Sequence, residues 1–252
     1  MKQTITAVIP ALNEEKNIER CINSVLWCDK IMVMWMGNDK TGDIAKKMGA
    51  EVIKMNTSDK DDFIKVQKNI NYAIDQCKTD WMLRIDADEV VTDELKNEII
   101  STLSNSPIAY GIPRAQYFWN GFLKGGDWAY DRLVRLFKPK FCRYDPIVAV
   151  HEQFKVNGHI GYLQNKLLHY SHPTLKDARN KFQKYTDVEI QDLHISKFEA
   201  ALKMCTLPFY IFLRWIIWHQ GYRDGVRGLV AGIYRGWYEY LLYSKYLLKK
   251  SN

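Results

Sequence analysis

The sequence predicts an α/β protein built on a mainly parallel sheet with helices on its faces. Three observations predict it. Strand-like and helix-like patterns alternate twice within residues 4–53. A fourth apolar run, Trp81 to Ile85, leads straight into the acids of Asp86-Ala87-Asp88-Glu89. From about Leu175 the pattern is helical to the end. Short apolar strands alternating with helices are the mark of parallel strands joined by helical crossovers.

Taken in order, Thr4 to Ile9 reads as a buried strand stopped by Pro10. Asn13, Glu14 and Glu15 open a helical pattern carried by Ile18, Cys21, Ile22 and Val25; an Asn cap and first-turn acids suit exposed helix N–H groups. Ile31 to Trp35 is a second strand and Asn38-Asp39 a turn. Ile44 to Met48 is helical, Gly49 ends it, and Glu51 to Ile53 is a third strand. Phe63 to Cys77 and Thr92 to Leu103 read as helices flanking the fourth strand. After Pro107, residues 108–170 turn rich in glycine and aromatics, with short β-like runs such as Arg132 to Phe137. Gly221, Gly225 and Gly228 divide the tail into at least two helices. The expected organisation is an α/β half over 1–107, a second half of the same domain over 108–174, and a basic aromatic helical tail over 175–252.

The chain has 252 residues, 47% of them hydrophobic and 26% charged, enough for one large core or two small ones and in no need of disorder. The net charge of +7 is concentrated: from Lys203 onward eight Lys or Arg face only Asp224 and Glu239. Such a field attracts phosphorylated substrates, anionic lipid or other polyanions. Zinc-finger spacing and recognised basic-reader patterns are absent, so nucleic acid is not an expected partner. Five cysteines, an odd count with long gaps except between Cys21 and Cys28, point to a reducing compartment, with Cys21 and Cys28 read as core packing. The apolar stretch before Pro10 is too short for a signal peptide. The longest apolar run, Met204 to Leu213, is cut by Arg214, so no spanning helix is expected.

Asp86 and Asp88 flank one alanine. In an extended segment they point the same way and form an oxygen-rich site for a divalent cation, which offsets their repulsion and can bridge to phosphate. Glu89 is expected to face away. Four of the six histidines lie within 151–172, and one of them could complete the ion's coordination. Glu152 is a candidate general base, with Asp131 and Asp145 as alternatives. The Trp119–Trp128 segment, with Gly121, Gly125 and Gly126, reads either as a mobile loop that stacks on a sugar or as a surface loop tucked onto the core. The tail interleaves Trp and Tyr with Arg and Lys. That pattern suits an anionic membrane interface, with packing on the sheet or on a sister subunit in a homodimer as the alternative.

Val8-Ile9-Pro10-Ala11-Leu12-Asn13-Glu14-Glu15, with Ile18 and Cys21 to Val25, resembles the opening of family 2 glycosyltransferases. Leu83 to Val91 resembles their metal-binding aspartate motif. Gln67-Lys68-Asn69, Arg135-Leu136-Phe137, His151-Glu152 and His169-Tyr170-Ser171 also fit, and together they resemble the lipopolysaccharide core β-glucosyltransferase subgroup. The resemblance implies a GT-A fold, with 1–107 binding a nucleotide sugar and 108–174 serving acceptor and metal. It implies inverting transfer of a hexose, a UDP-sugar as expected donor with the base left open, and a glycan or glycolipid acceptor. Pro10, Asn13, Glu15, Asp39 and Lys68 would bind the donor. Asp88, Asp86 and His169 would hold Mg2+ or Mn2+, with Asp86 near the ribose or the metal, and Glu152 would be the base, with Asp131 behind it. The setting would be the cytoplasmic face of the inner membrane, with peripheral contact through the tail. One position departs: Met34 stands where the subgroup carries the first acid after its second strand, the acid that commonly contacts the nucleotide base. A nucleotidyltransferase acting on a sugar phosphate, or a catalytically weakened nucleotide-sugar-binding protein, is the alternative.

Overall fold

The structure is a computed structural model that describes residues 3–55, 63–145 and 154–249. The chain divides into two compact units, Met1–Pro113 with Arg132–His169, and Arg114–Asp131 with Tyr170–Asn252.

The first unit alternates β1 (Ile5–Ala11), α1 (Ile18–Ser24), β2 (Lys30–Trp35), α2 (Thr41–Lys47), β3 (Glu51–Lys54), α3 (Phe63–Gln76) and β4 (Trp81–Arg84). It continues through β5 (Glu89–Val90), α4 (Asp93–Thr102), β6 (Ala109–Phe118), β7 (Arg132–Phe137), β8 (Cys142–Tyr144), β9 (Phe154–Val156), β10 (Ile160–Tyr162) and β11 (Leu167–His172). β6 and β11 run on into the second unit. The main sheet has the order β3-β2-β1-β4-β7-β6-β11-β5, with β10 on β6, and β8 pairs with β9. β1 to β4 are parallel, and β7 is antiparallel to β4 and to β6. Every residue of β1 is buried, as a central strand covered on both faces requires. Ile5, Ala7, Ile9 and Ala11 point to one face, with Ile18, Cys21 and Ile22 of α1 and Leu95 and Ile99 of α4. Val8, Met32, Met34 and Met82 point to the other, with Ile70, Ala73 and Ile74 of α3.

Two expectations change here. β1 runs through Pro10 to Ala11, because Pro10 pairs with Met34 in a parallel ladder that does not need its missing N–H. The first helix starts at Ile18, not at Asn13. Asn13 is left-handed at φ 56, and the next two N–H groups go elsewhere: Glu14 donates to Thr41 Oγ1 at 2.9 Å and Glu15 to Asp39 Oδ2 at 3.1 Å.

The second unit carries α5 (Leu175–Glu189), α6 (Lys197–Leu213) and α7 (Val226–Leu248). Thr174 and Asp177 close a capping box at the start of α5. α6 is not cut at Arg214. It continues as a π-helical turn over Arg214–Trp218, and Lys197–Trp218 is long and apolar enough to cross a membrane by length and composition. Gly225, at φ 56, turns the chain into α7, whereas Gly228 lies inside that helix. Gly228, Gly232 and Gly236 leave room for close approach: a Cβ at Gly236 would meet Pro208 O at 2.7 Å, and one at Gly232 would meet Trp215 Cδ1 at 2.8 Å. Trp215, fully buried, donates from Nε1 to Gly228 O at 2.9 Å.

Candidate active site

The order β3-β2-β1-β4 places a topological switch point between β1 and β4, since the chain builds outward from β1 in both directions. Ligands of open α/β sheets bind outside the carboxyl ends of the strands at such a point. Asn13 and Glu15 follow β1 there, and Asp86 and Asp88 follow β4.

The β1 side is tied to the turn after β2. Asn13 Oδ1 accepts from Asn38 N at 3.3 Å, Glu15 Oε2 from Lys40 N at 3.3 Å, and Asp39 from Thr41 Oγ1 at 2.8 Å and Thr41 N at 3.2 Å. Partial burial pushes the Asp39 carboxyl up, but the hydrogen bonds from Thr41 and the Glu15 N–H outweigh it and leave the pKa lowered. Asn13, Glu15 and Asp39 therefore come together, with buried Pro10 beneath them on β1. Met34 is fully buried in the cluster on the α3 face. Lys68 is exposed on α3 between buried Gln67 and Asn69.

The acids after β4 do not form the parallel pair expected of an extended segment, because residues 87–88 form a turn. Asp86 meets Arg135 Nη2 at 2.5 Å through Oδ2 and Arg84 Nη2 at 3.7 Å through Oδ1. Both arginines are buried, and Arg84 also donates to the Tyr144 hydroxyl. Glu89 is fully buried: its Oε2 accepts the Asp86 N–H at 2.9 Å and its Oε1 lies 3.7 Å from Arg135. Asp88 instead faces β11, with Oδ2 3.3 Å from His169 Nε2 and both side chains about one-seventh exposed (14% and 15%). The backbone explains the approach: Glu89 of β5 pairs directly with His169 of β11. Among the described residues no three His, Cys, Asp or Glu side chains form a metal-ligand group. Beneath the turn, the Cys21 thiol donates to Asp86 O at 3.5 Å, and burial first, then Glu89 and Asp88, push its pKa up.

Arg84 and Arg135 offset two of the three acids Asp86, Asp88 and Glu89, leaving a formal charge of −1 on these five residues. Asp88 and His169 are an oxygen and an imidazole nitrogen at a separation that one divalent ion can bridge. A carboxylate oxygen and an imidazole nitrogen fit Mg2+ or Mn2+ as donors.

Asp131 belongs to the second unit, where Oδ2 accepts from Arg114 Nε at 3.0 Å and also from Arg114 Nη2. Those bonds occupy an oxygen that a base would use. Asp145 pairs with Lys155 at 2.7 Å. Glu152 and His151 lie outside the described residues. His172 stacks on Trp128 at 5.4 Å, and the Trp119–Trp128 segment is anchored: Lys124 and Gly125 N–H groups donate to Asp224, and Arg227 donates to the Trp119 and Asn120 carbonyls. It is a loop tucked onto its unit.

The partnership of Arg84 and Arg135 with Asp86 escaped the sequence reading. One signal was present: a cation at Arg84 inside the apolar run Trp81 to Ile85 needs a counter-charge once buried.

Residues 6–170 match the profile of glycosyl transferase family 2. An uncharacterized glycosyltransferase of Rickettsia prowazekii is 29% identical over 90% of this chain and 82% of its own. The lipopolysaccharide core biosynthesis glycosyltransferase LpsC of Rhizobium meliloti is 24% identical over 98% of this chain and 95% of its own. Among solved structures, S. aureus TarS superposes with a TM-score of 0.50 at 14% identity, over 88% of this chain and 46% of that longer one. The parallel sheet, its switch point and these matches agree: the protein is a glycosyltransferase with a GT-A fold and belongs to glycosyl transferase family 2.

Proposed function

We propose that this glycosyltransferase moves a hexose from a nucleotide sugar to a glycan or glycolipid acceptor in bacterial surface polysaccharide or lipopolysaccharide core synthesis. The observation that carries the reading is the Asp88–His169 pair, 3.3 Å apart beside the switch point. The near full-length match to LpsC supports the acceptor class. Peripheral contact of the tail with an anionic membrane on the cytoplasmic side fits such an acceptor.

Asp88 and His169 would hold Mg2+ or Mn2+ in this reading. When bound, the ion supplies positive charge for the diphosphate oxygens. The chain's own residues do the rest. Pro10, Asn13, Glu15 and Asp39 shape the nucleotide side, and Lys68 is assigned to the donor. Asp86, fixed by Arg135, sits toward the ribose and keeps Asp88 turned to His169. Glu152 takes the proton of an acceptor hydroxyl. The freed oxygen bonds to the anomeric carbon from the face opposite the diphosphate, the carbon–diphosphate bond breaks with its electron pair, and configuration inverts.

Asp88→Ala should abolish metal-stimulated sugar transfer while the fold persists by circular dichroism. Full transfer by that variant in excess chelator would remove the metal from the reading. Glu152→Gln should cut turnover at least 100-fold with donor binding intact, and near-normal turnover would move the base elsewhere. Calorimetry with UDP-, GDP- and ADP-sugars, with and without manganese, reads the donor, starting from UDP. Met34 in the core favours one second reading, a nucleotide-sugar-binding protein with weakened turnover. Tight donor binding with no transferred sugar across acceptors would select it.

A further inference from the structure

The helical pair of the second unit shows water a face without charge. On α6 and its π turn the exposed residues recur at helical spacing: Phe198, Leu202, Phe209, Leu213 and Ile217, with Cys205 and Thr206 between. Phe198 is 80% exposed, Phe209 75% and Trp218 81%. α7 adds Val226, Leu229, Ile233 and Tyr240. Over Lys197–Lys249 the most exposed charged residues are Lys197, Arg223 and Lys249, all cations, with the mutually paired Glu199 and Lys203 part-exposed. The three cations stand at the two ends of the pair. Tyr246 near the end of α7 donates to Ile195 O just before α6, at 2.6 Å, which puts Lys197 and Lys249 at one end, and Arg223 lies in the link at the other.

On the opposite faces, Arg214 and Arg235 share Asp127 at 2.9 and 3.6 Å, and Arg235 also meets Glu239 at 2.7 Å; the Glu199–Lys203 pair, 2.7 Å apart and part-exposed, borders the apolar face near the start of α6. A helix of this length reaches roughly 30 Å, enough to span hydrocarbon. Spanning would nevertheless drag these ion pairs into lipid, which is costly. Lying in the interface buries the apolar face, leaves the Arg214, Arg235 and Asp127 ions on the protein side, and keeps the Glu199–Lys203 pair at headgroup level.

We infer that α6 and α7 lie in the plane of an anionic lipid bilayer. Phe198, Phe209, Leu213, Ile217 and Trp218 enter the acyl boundary, and Lys197, Arg223 and Lys249 meet the headgroups. Cationic ends flanking an apolar face match a negatively charged leaflet, whereas a second copy would bring the same cations against one another when paired end to end. That the tail meets a membrane at all rests on the functional reading above. Binding to vesicles needs neither donor nor turnover.

The test is flotation of the full-length protein with phosphatidylcholine vesicles, with and without phosphatidylglycerol. Wild type should float with the phosphatidylglycerol vesicles, and 0.5 M salt should release part of it (about a Debye length of 4 Å). Phe209→Asp with Ile217→Asp should lower the bound fraction at least tenfold. Both sites are solvent-facing, so the melting temperature and nucleotide-sugar binding should hold. Asp88→Ala should float like wild type, separating this inference from failure of the catalytic reading. Three results would overturn it. The double variant could float undiminished. The wild type could stay in the soluble fraction, with light scattering showing a dimer that the double variant dissolves, so that a second copy covers the face. Or the wild type could resist alkaline carbonate extraction from cell membranes, the behaviour of a spanning helix.

Discussion

The turn after β4 and the α6–α7 pair place charge in opposite ways. At the turn, ions are drawn inward: Arg84, Arg135 and Glu89 are all buried and hold Asp86 between them. In the helical pair, Arg214 and Arg235 turn toward Asp127 while large apolar side chains face outward. Each arrangement defies the usual distribution of residues, and each has a price in isolation. Burying ions is tolerable where partners compensate them, and it fixes the direction of Asp88. Exposing a continuous apolar face is tolerable where something other than water covers it. In the proposed reading the first pattern serves the reaction centre and the second the membrane-facing surface.

The sharpest way to break the comparison is to remove the compensation. Arg135→Met leaves Asp86 and the fully buried Glu89 without their shared cation. Removing one partner of a buried pair costs about 3–5 kcal/mol, and the partial exposure of Asp86 argues for the lower end. Chemical denaturation should show that loss. Arg135→Met combined with Asp86→Asn should recover part of it. A variant as stable as wild type would mean that Arg135 is not the counter-ion that matters.

The helical pair predicts a steric effect next. Gly236→Leu places a side chain against Pro208 O, where even a Cβ has only 2.7 Å. Overpacking of this kind typically costs about 1–3 kcal/mol. The melting temperature should fall, and flotation should change little unless the pair comes apart. Leu229→Ala, on the exposed face, should leave stability almost untouched. Equal losses for both would erase the distinction between a packed and an uncovered face.

How much of this the sequence disclosed depended on the range of the interactions. The strand–helix alternation of residues 4–54 is local, and periodicity reads it. Asn13 misled because its capping propensity competes with Thr41 and Asp39, more than twenty residues away, for the same N–H groups. The Asp86–Asp88 spacing suggests an extended pair, but Glu89 holds the segment in a turn by accepting the Asp86 N–H. Asp88 and His169 are 81 positions apart in sequence (169 − 88) and meet through pairing of β5 with β11. Local pattern carries no such register, and only the family resemblance named that pair. The outward apolar face of α6 escaped for another reason: Arg214 interrupts the run in sequence, while in the helix it turns toward Asp127.

A smaller effect probes the start of α5. Thr174 accepts the Asp177 N–H at 3.1 Å, and Asp177 Oδ2 accepts the Thr174 hydroxyl and N–H at 2.7 and 3.2 Å. Thr174→Ala should cost about 1 kcal/mol, as lost caps do, and Thr174→Ser should restore most of it. Identical stability of all three would show that the cap adds nothing to a helix already held by Ala178 and Phe182.

The smallest expected effect is a pH dependence at the switch point. Asp39 has a lowered pKa because, against the opposing effect of burial, Thr41 and the Glu15 N–H favour its charged form. The unfolded carboxyl titrates near about 3.9, so between the folded and unfolded values the unfolded chain binds more protons. The contribution of Asp39 is therefore fully present above the unfolded pKa and is lost as pH falls through the folded value. Asp80 adds a slope of the same sign, through hydrogen bonds from the Thr4 N–H and hydroxyl, so the informative quantity is a difference. Asp39→Asn should be less stable than wild type at pH 7, and the gap should narrow steadily below pH 4. Because the carboxylate ties the turn after β1 to that after β2, the same variant should weaken nucleotide-sugar binding at neutral pH. A gap that stayed constant down to pH 2 would show that the charge of Asp39, as opposed to its shape, does not hold the two turns together.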